Sequence, residues 1–145
     1  YNVAGNHDPS SSLATREIIR MYYLNNPRVI ICDSPRAIKY HQHSKTLLQF
    51  AHGDGMKMNP AGEVMAHDCV DIFSSTEYRY SHMGHIHVDA AKETRLCKVE
   101  AHRNLTPLNA WAFHKGFRGQ LGTMKSIVYS AHTGELTRQI FNVNM

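Results

Sequence analysis

The spacing of apolar residues predicts two helices in this chain. Leu13, Ile18 and Tyr22 belong to an approximately helical stripe, and Asn25-Asn26-Pro27 follows it as a stop signal. The segment from Glu63 to Phe73 carries apolar positions suited to a second helix. We expect the first helix to cover one face of a sheet.

Short apolar or alternating segments predict the strands. They are residues 29–32, 37–41, 46–51, 78–83, 96–101, 124–130 and 136–143, and residues 1–3 resemble the tip of a further buried strand. A polar turn at 42–45 and the turn His132-Thr133-Gly134 indicate hairpins. Residues 109–117 give no clear pattern. The alternation of helices and strands predicts an α/β fold with an antiparallel hairpin at the end.

Composition narrows the class of protein only moderately. A length of 145 residues suits one domain, and the formal net charge of +4 gives a mild bias toward anionic partners. No segment approaches the run of about 20 apolar residues that a membrane helix needs. Cys32, Cys69 and Cys97 are odd in number and widely spaced. This pattern suits reduced thiols, and we therefore expect a cytoplasmic protein without a membrane partner.

Three short polar clusters carry the candidate chemistry. They are Gly5-Asn6-His7-Asp8, His52-Gly53-Asp54 and Gly84-His85-Ile86-His87. Each follows a predicted strand, where open α/β sheets place their ligand-binding groups. Imidazole nitrogens and amide oxygens suit zinc, iron and manganese, and an adjacent glycine allows close approach. Any one cluster alone is more often explained by a structural or surface histidine, so their combination and order carry the weight.

In this order the clusters resemble the calcineurin-like metallophosphoesterases. The signature of that family runs D-x-H, G-D-x-x-D, G-N-H-[D/E], a lone histidine usually followed by glycine, and G-H-x-H. The last three elements are present, and the resemblance covers nearly the whole chain. The first two elements are absent, because only four residues precede Gly5. We therefore expect residues 1–145 to be the C-terminal portion of a single domain. The resemblance implies part of a four-layer αββα sandwich with mixed sheets.

The resemblance also implies a role for each matching residue. Asn6, His52 and His85 match the family's ligands to one metal ion, and His87 matches a ligand to the other. His7 matches a histidine that does not bind metal but stabilises charge on the scissile phosphate or protonates the leaving oxygen. The complete site would hold two divalent metal ions, and manganese, iron, zinc or nickel could occupy it.

The implied activity is hydrolysis of a phosphomonoester or phosphodiester. The carboxylate that bridges two metal ions is missing, so we expect this chain alone to bind about one ion tightly and to be inactive. The alternative is a catalytically inactive metal-binding or interaction module derived from the same fold. A D-x-H and G-D-x-x-D sequence upstream of Tyr1 would favour the enzyme over the module.

Other residues suggest how substrate and partners would bind. His102 and Arg103 follow a predicted strand and are candidate substrate-binding residues at the rim of the site, whereas His82 has no match in the family. Residues 111–118 mix aromatic and cationic side chains, as nucleic-acid surfaces do, although aromatic residues also anchor cores. Absent strands would expose apolar sheet surface, so we expect self-association or association with the missing N-terminal segment.

Overall fold

The computed structural model describes residues 3–105, 113–114, 116 and 122–143. These residues form a mixed α/β structure with a five-stranded mixed sheet and a separate two-stranded sheet. Val3 lies in no strand, and residues 1–2 fall outside the described ranges, as do most residues of the ambiguous segment 109–117.

The structure gives bounds for three helices. They are α1 (Pro9–Tyr22), α2 (Ala61–Asp68) and α3 (Val70–Ser75). Pro9 suits the first turn of α1, because proline has no N–H to leave unpaired there. The single helix predicted over 63–73 is interrupted at Cys69, whose φ of −142° and ψ of 57° are not helical.

The main sheet contains three central parallel strands with an antiparallel strand at each edge. Its strands are β1 (Lys39–His43), β2 (Thr46–Ala51), β3 (Tyr78–Met83), β4 (Ala90–Glu93) and β5 (Lys98–Ala101). Their order is β1-β2-β3-β5-β4, and β2, β3 and β5 are mutually parallel neighbours. The carboxyl ends of these three strands therefore meet at one edge of the sheet.

The core lies between this sheet and α2. Leu47 of β2, Val99 of β5 and Met65 of α2 are completely buried. Gly62 allows α2 to approach the segment before β5 closely, since a Cβ there would lie 2.7 Å from the Leu96 Cβ and 3.2 Å from the Cys97 Sγ. Burial along nearly all of β2 is typical of a strand inside a parallel sheet.

The second sheet is the hairpin of β6 (Gly122–Ser130) and β7 (Gly134–Val143). Its turn is attached to the main sheet by the Lys45 N–H, which donates to the Ala131 carbonyl at 2.8 Å, and by the Thr46 hydroxyl, which donates to the Ser130 carbonyl at 2.8 Å. The Glu135 N–H donates to the Tyr80 hydroxyl at 2.9 Å. The hairpin is thus fixed against β2 and β3.

Three features of the structure differ from the sequence expectations. The apolar stripe of α1 does not cover a sheet, since Leu13, Ile18 and Tyr22 are 54%, 67% and 80% exposed. Residues 29–32 form no strand, and Ile30 is 91% exposed. β4 was not predicted, because Ala-Ala-Lys-Glu lacks the β-branched and aromatic residues that indicate strands. Cys32, Cys69 and Cys97 are free thiols. Within the described residues, no helix has the length and apolar character needed to cross a membrane.

Candidate metal centre

The candidate site lies where the parallel strands of the main sheet end. His52 follows β2, the Gly84–His87 segment follows β3, and His102 and Arg103 follow β5. Asn6 reaches the same region from the loop that precedes α1. Parallel strands thereby collect histidines that are far apart in the sequence.

Three of the four predicted metal ligands meet at the imidazole of His52. The His52 Nε2 lies 3.0 Å from the Asn6 Oδ1 and 3.2 Å from the His85 Nδ1. Ligand atoms that share one ion at the usual zinc bond lengths lie about 3.0–3.4 Å apart, depending on the coordination geometry. The two separations are therefore compatible with ligand atoms around a single ion.

Hydrogen bonding alone accounts poorly for this arrangement. The His52 Nε2 carries either one proton or one lone pair, and it faces both the Asn6 oxygen and the His85 Nδ1. Without an ion, one N–H would have to be shared between two acceptors, or one of the two contacts would lack a hydrogen bond. A cation would accept a lone pair from each of the three atoms. The donor set therefore fits a transition metal ion.

The backbone on both sides of the site is shaped to bring these loops together. The Gly84 N–H donates to the His52 carbonyl at 2.9 Å. Gly53 has a φ of +106°, and a Cβ there would lie 3.0 Å from the Gly84 carbonyl oxygen. His85 and His87 also have positive φ, at 64° and 54°. Such values are uncommon for residues other than glycine and cluster at functional sites.

Gly5 and Asp8 position the loop that carries Asn6. The Asp8 Oδ1 accepts the Gly5 N–H at 2.7 Å and closes the loop just before α1. A Cβ at Gly5 would lie 3.1 Å from the His52 Cε1. Glycine at this position therefore allows the Asn6 loop to approach the imidazole of His52.

The remaining residues of the predicted site are placed less closely. His87 lines the same cavity of about 430 Å³ as His52 and His85. His7 is exposed, and no hydrogen bond or ion pair within the described residues involves its side chain. The structure thus brings Asn6, His52 and His85 together and lines the cavity with His87, whereas no hydrogen bond within the described residues joins His7 to them.

His102 and Arg103 line the cavity that contains the histidines. The His102 N–H donates to the Met83 carbonyl at 2.8 Å, which extends the pairing of β3 and β5 by one bond. The Arg103 Nε is buried and has no hydrogen-bond partner within the described part of the chain. A buried guanidinium nitrogen without a partner is costly, and an anion would satisfy it.

A second group of polar side chains lies beside this cavity, and of its members only His102 was nominated from the sequence. His82 of β3 links two residues, because its Nδ1 lies 2.9 Å from the His102 Nε2 and its Nε2 lies 2.6 Å from the Tyr129 hydroxyl. Glu100 is directly opposite His82 in the sheet. Strand alternation could have placed His82 and Tyr80 on one face, but the contact with Tyr129 depends on where the hairpin docks.

The ligand atoms of His82, Glu100 and His102 lie within 4.8 Å of one another, a spacing that a metal ion would also tolerate. Glu100, however, is already engaged by two cations. Its Oε1 accepts from the Lys125 Nζ and the Arg138 Nη1, each at 2.7 Å. A metal ion there would be repelled by both, so this cluster suits a structural network better than a metal site.

Both histidines of this network favour the uncharged form. Burial, and secondarily the neighbouring His102, lower the pKa of His82 to about 4. Burial likewise lowers the pKa of His102. At neutral pH the Tyr129–His82–His102 chain is therefore a set of neutral hydrogen-bonding groups.

Comparisons with known proteins add no assignment. No protein-family model matches this chain, and no curated protein or solved structure is significantly similar to it. The functional argument consequently depends on the side-chain geometry and on the sequence motifs.

Proposed function

We propose that this chain is part of a metal-dependent phosphoester hydrolase. The observation that carries the proposal is the convergence of the Asn6 Oδ1 and the His85 Nδ1 on the His52 Nε2, at 3.0 and 3.2 Å. These residues come from three separate motifs whose order resembles that of the calcineurin-like metallophosphoesterases. A bound manganese, iron, zinc or nickel ion would activate a water molecule and neutralise charge on the phosphoryl group.

The residues around the proposed ion have separate tasks. Asn6, His52 and His85 hold it, and the backbone bond between Gly84 and His52 keeps two of these ligands in register. Arg103 offers its unpartnered Nε to the phosphoryl oxygens. His7 is proposed to donate a proton to the leaving oxygen, for which its exposed position leaves room to move toward the substrate.

The fuller proposal includes a second ion and a larger fold. His87 would be a ligand of the second ion. The carboxylate ligands of that ion are not among the described residues that cluster with His87. The mixed sheet and the docked hairpin are compatible with two inner layers of a four-layer αββα sandwich. We further propose a cytoplasmic location, which the free thiols support. A nucleic-acid substrate is also proposed, because segment 111–118 combines aromatic and cationic residues, although most of it lies outside the described ranges.

The second candidate is a catalytically inactive module that holds one ion. One observation favours it. Within the described residues, no aspartate or glutamate forms a cluster of three potential ligands with His52, His85 or His87. Two ions close together repel each other unless a carboxylate lies between them, so one ion is the expected content of this chain.

Metal content and hydrolysis, measured on the same samples, test the proposal. We expect the chain to retain about one manganese ion after dialysis. His52→Ala and His85→Ala should lose it, whereas His132→Ala, at an exposed histidine in the hairpin turn, should retain it. Manganese-stimulated hydrolysis of bis(p-nitrophenyl) phosphate should be negligible for this chain and appear in a version that also carries the D-x-H and G-D-x-x-D segments.

The outcomes separate the two candidates. An extended protein that holds two ions without hydrolysing phosphoesters would favour the module. Equal metal retention by the wild type, His52→Ala and His85→Ala would contradict both candidates, because neither histidine would then be a ligand.

A further inference from the structure

We infer that a second cavity beside the candidate metal centre binds an aromatic group of the phosphoester, such as a nucleobase, while Arg103 binds its phosphoryl group. This inference rests on the proposed function and specifies the substrate class. The cavity measures about 570 Å³ and lies between the main sheet and the hairpin. That size is within the range of cavities that bind small organic molecules.

The two cavities are adjacent parts of one cleft. The smaller one contains the candidate ligands His52, His85 and His87, and the larger one extends toward the hairpin. Five residues line both of them: Phe50, His82, His102, Arg103 and Asn104. A molecule with a phosphoryl group at the candidate ligands could therefore extend its organic part past these residues into the larger cavity.

The wall between the cavities is built from stacked rings. The rings of Phe50 and His82 are stacked with centroids 5.9 Å apart, and those of His82 and His102 with centroids 5.1 Å apart. Beyond them the larger cavity is lined by apolar side chains, among them Leu48 and Ile127. Flat rings and apolar walls favour an aromatic group over a charged or strongly hydrated one.

The charges around the cleft place the anion at Arg103. Its Nε is buried without a hydrogen-bond partner among the described residues, and it lines both cavities. Lys125 is the other cation of the larger cavity, but its Nζ already contacts Asp89 at 2.6 Å and Glu100 at 2.7 Å. Lys125 is thus neutralised by two carboxylates, whereas the buried Arg103 Nε has no partner among the described residues and lies at the point where the phosphoryl group and the ring would join.

The neutral state of the histidines supports an uncharged ring as the occupant. Burial lowers the pKa of both His82 and His102, so neither presents a positive charge to the cavity at neutral pH. Tyr129 also lines the larger cavity, and its hydroxyl lies 2.6 Å from the His82 Nε2. A heteroaromatic group would find hydrogen-bonding atoms there as well as stacking surfaces.

Two phosphonates, compared at a pH at which both are dianions, test this inference directly. Phenylphosphonate and methylphosphonate carry the same anionic group and a carbon–phosphorus bond that resists hydrolysis, and they differ only in the ring. Titration calorimetry in the presence of a chelator measures the affinity of the protein for each phosphonate without a bound metal ion. We expect phenylphosphonate to bind on the order of tenfold more tightly, as is typical of one stacked aromatic group.

Variants locate the source of this preference. Ile127→Trp would fill the larger cavity and should make the two affinities about equal. Val128→Trp is the matched control, because Val128 is the exposed neighbour of Ile127 on β6 and does not line the cavity, and it should retain the preference. Arg103→Gln should weaken the binding of both phosphonates while leaving the ratio of their two affinities unchanged. Met124→Trp, at a half-exposed position of the cavity lining, is the second blocking variant if Ile127→Trp fails to fold.

Equal affinity of the wild type for the two phosphonates would overturn the inference, as would a ring preference that survives both blocking variants. Failure of the proposed function is distinguishable from these results. A chain that holds manganese but shows no ring preference refutes the cavity inference alone. A chain that prefers phenylphosphonate but holds no ion at Asn6, His52 and His85 refutes the metal proposal alone.

Discussion

At the residue scale, His85 combines a strained backbone with a candidate ligand atom. Its φ is +64°, and its Nδ1 lies 3.2 Å from the His52 Nε2. The left-handed conformation costs residues with a Cβ about 1–2 kcal/mol. Glycine would relieve this strain, but it would remove the imidazole. The histidine is therefore expected to serve binding at the expense of stability.

Substitutions of His85 by glycine and alanine should separate these two effects. We expect both variants to lose the bound ion. In the absence of metal, His85→Gly should be more stable than His85→Ala by about 1 kcal/mol, because only alanine keeps the cost of positive φ. Urea unfolding in the presence of a chelator measures the difference.

Ser44 provides the control for this comparison, since its φ of +52° lies in the β1–β2 turn. Ser44→Gly should likewise be more stable than Ser44→Ala, but neither should change metal retention. Metal retention by His85→Gly equal to that of the wild type would contradict a ligand role for His85.

The resemblance of the three motifs, in their order, to those of a known family nominated Asn6, His52 and His85 as a group. The role of His82 could not be predicted in this way. Its partners, His102 and Tyr129, are 20 and 47 residues away; His102 follows β5, and Tyr129 belongs to the hairpin. Local patterns give no measure of such distances.

At the scale of elements, a charged network joins β5 to the hairpin. Glu100 of β5 is 3% exposed and contacts both Lys125 of β6 and Arg138 of β7. Arg138 also contacts Glu135 at 2.6 Å. Burial of the Glu100 carboxyl opposes its ionisation, but hydrogen bonds from Arg138 and Lys125 outweigh burial and lower its pKa to about 2. The network is therefore expected to hold the second sheet on the first.

This pKa predicts how stability depends on pH. The ordinary pKa of a glutamate is near 4.5, so the folded state binds the Glu100 proton less readily than the unfolded state. Its contribution to stability is therefore complete above about pH 4.5 and is lost as the pH falls toward 2, with a size of up to about 3 kcal/mol. Glu100→Gln should lower the free energy of unfolding at pH 7 by about 3–5 kcal/mol, because Lys125 and Arg138 lose their buried partner.

Urea unfolding of the wild type and Glu100→Gln across this pH range checks the prediction. The difference between them should be constant above pH 4.5 and shrink below it. Glu93→Gln, at an exposed position on the edge strand β4, should behave like the wild type throughout. A difference between the wild type and Glu100→Gln that stays constant from neutral pH to the acid limit would contradict the depressed pKa.

The sequence predicted both the existence and the end residues of the two strands with the clearest strand-like sequence patterns. β2 (Thr46–Ala51) and β3 (Tyr78–Met83) coincide with the predicted segments. The apolar run at 29–32 has no partner strand and remains irregular, since β propensity reflects packing against neighbours more than an intrinsic preference. β4 shows the opposite case. Its residues have low β propensity, and pairing with β5 keeps them in a strand.

At the scale of the whole molecule, the hairpin exposes apolar side chains. Leu136 is 62% exposed, and Phe141, Ile140, Met124 and Val128 are each about half exposed. Scattered apolar residues are normal on a surface, but several on one two-stranded sheet form a candidate interface. Self-association or association with a further segment of the protein is the expected consequence.

Sedimentation velocity at increasing concentration tests this expectation. We expect the wild type to form dimers or larger species, and Leu136→Lys combined with Phe141→Lys to shift the population toward monomer by placing charge in the contact. Val70→Lys is a matched control, because Val70 of α3 has the same 62% exposure as Leu136 but lies outside the hairpin. A wild type that remains monomeric over a wide range of concentrations would contradict the prediction.

The overall class was predictable from the sequence, but the arrangement of the two sheets was not. Alternating helices and strands led to an α/β fold with a terminal hairpin, in agreement with the two sheets observed. The position of the hairpin is set by contacts between distant residues, such as the Thr46 hydroxyl with the Ser130 carbonyl. No periodicity in either segment specifies that contact.

The central claim is that Asn6, His52 and His85 bind one metal ion, and anomalous scattering from zinc-soaked crystals tests it most directly. We predict a peak at about 2.0–2.2 Å from the Asn6 Oδ1, the His52 Nε2 and the His85 Nδ1. A peak only at the alternative cluster of His82, Glu100 and His102, or no peak at either place, would contradict the claim.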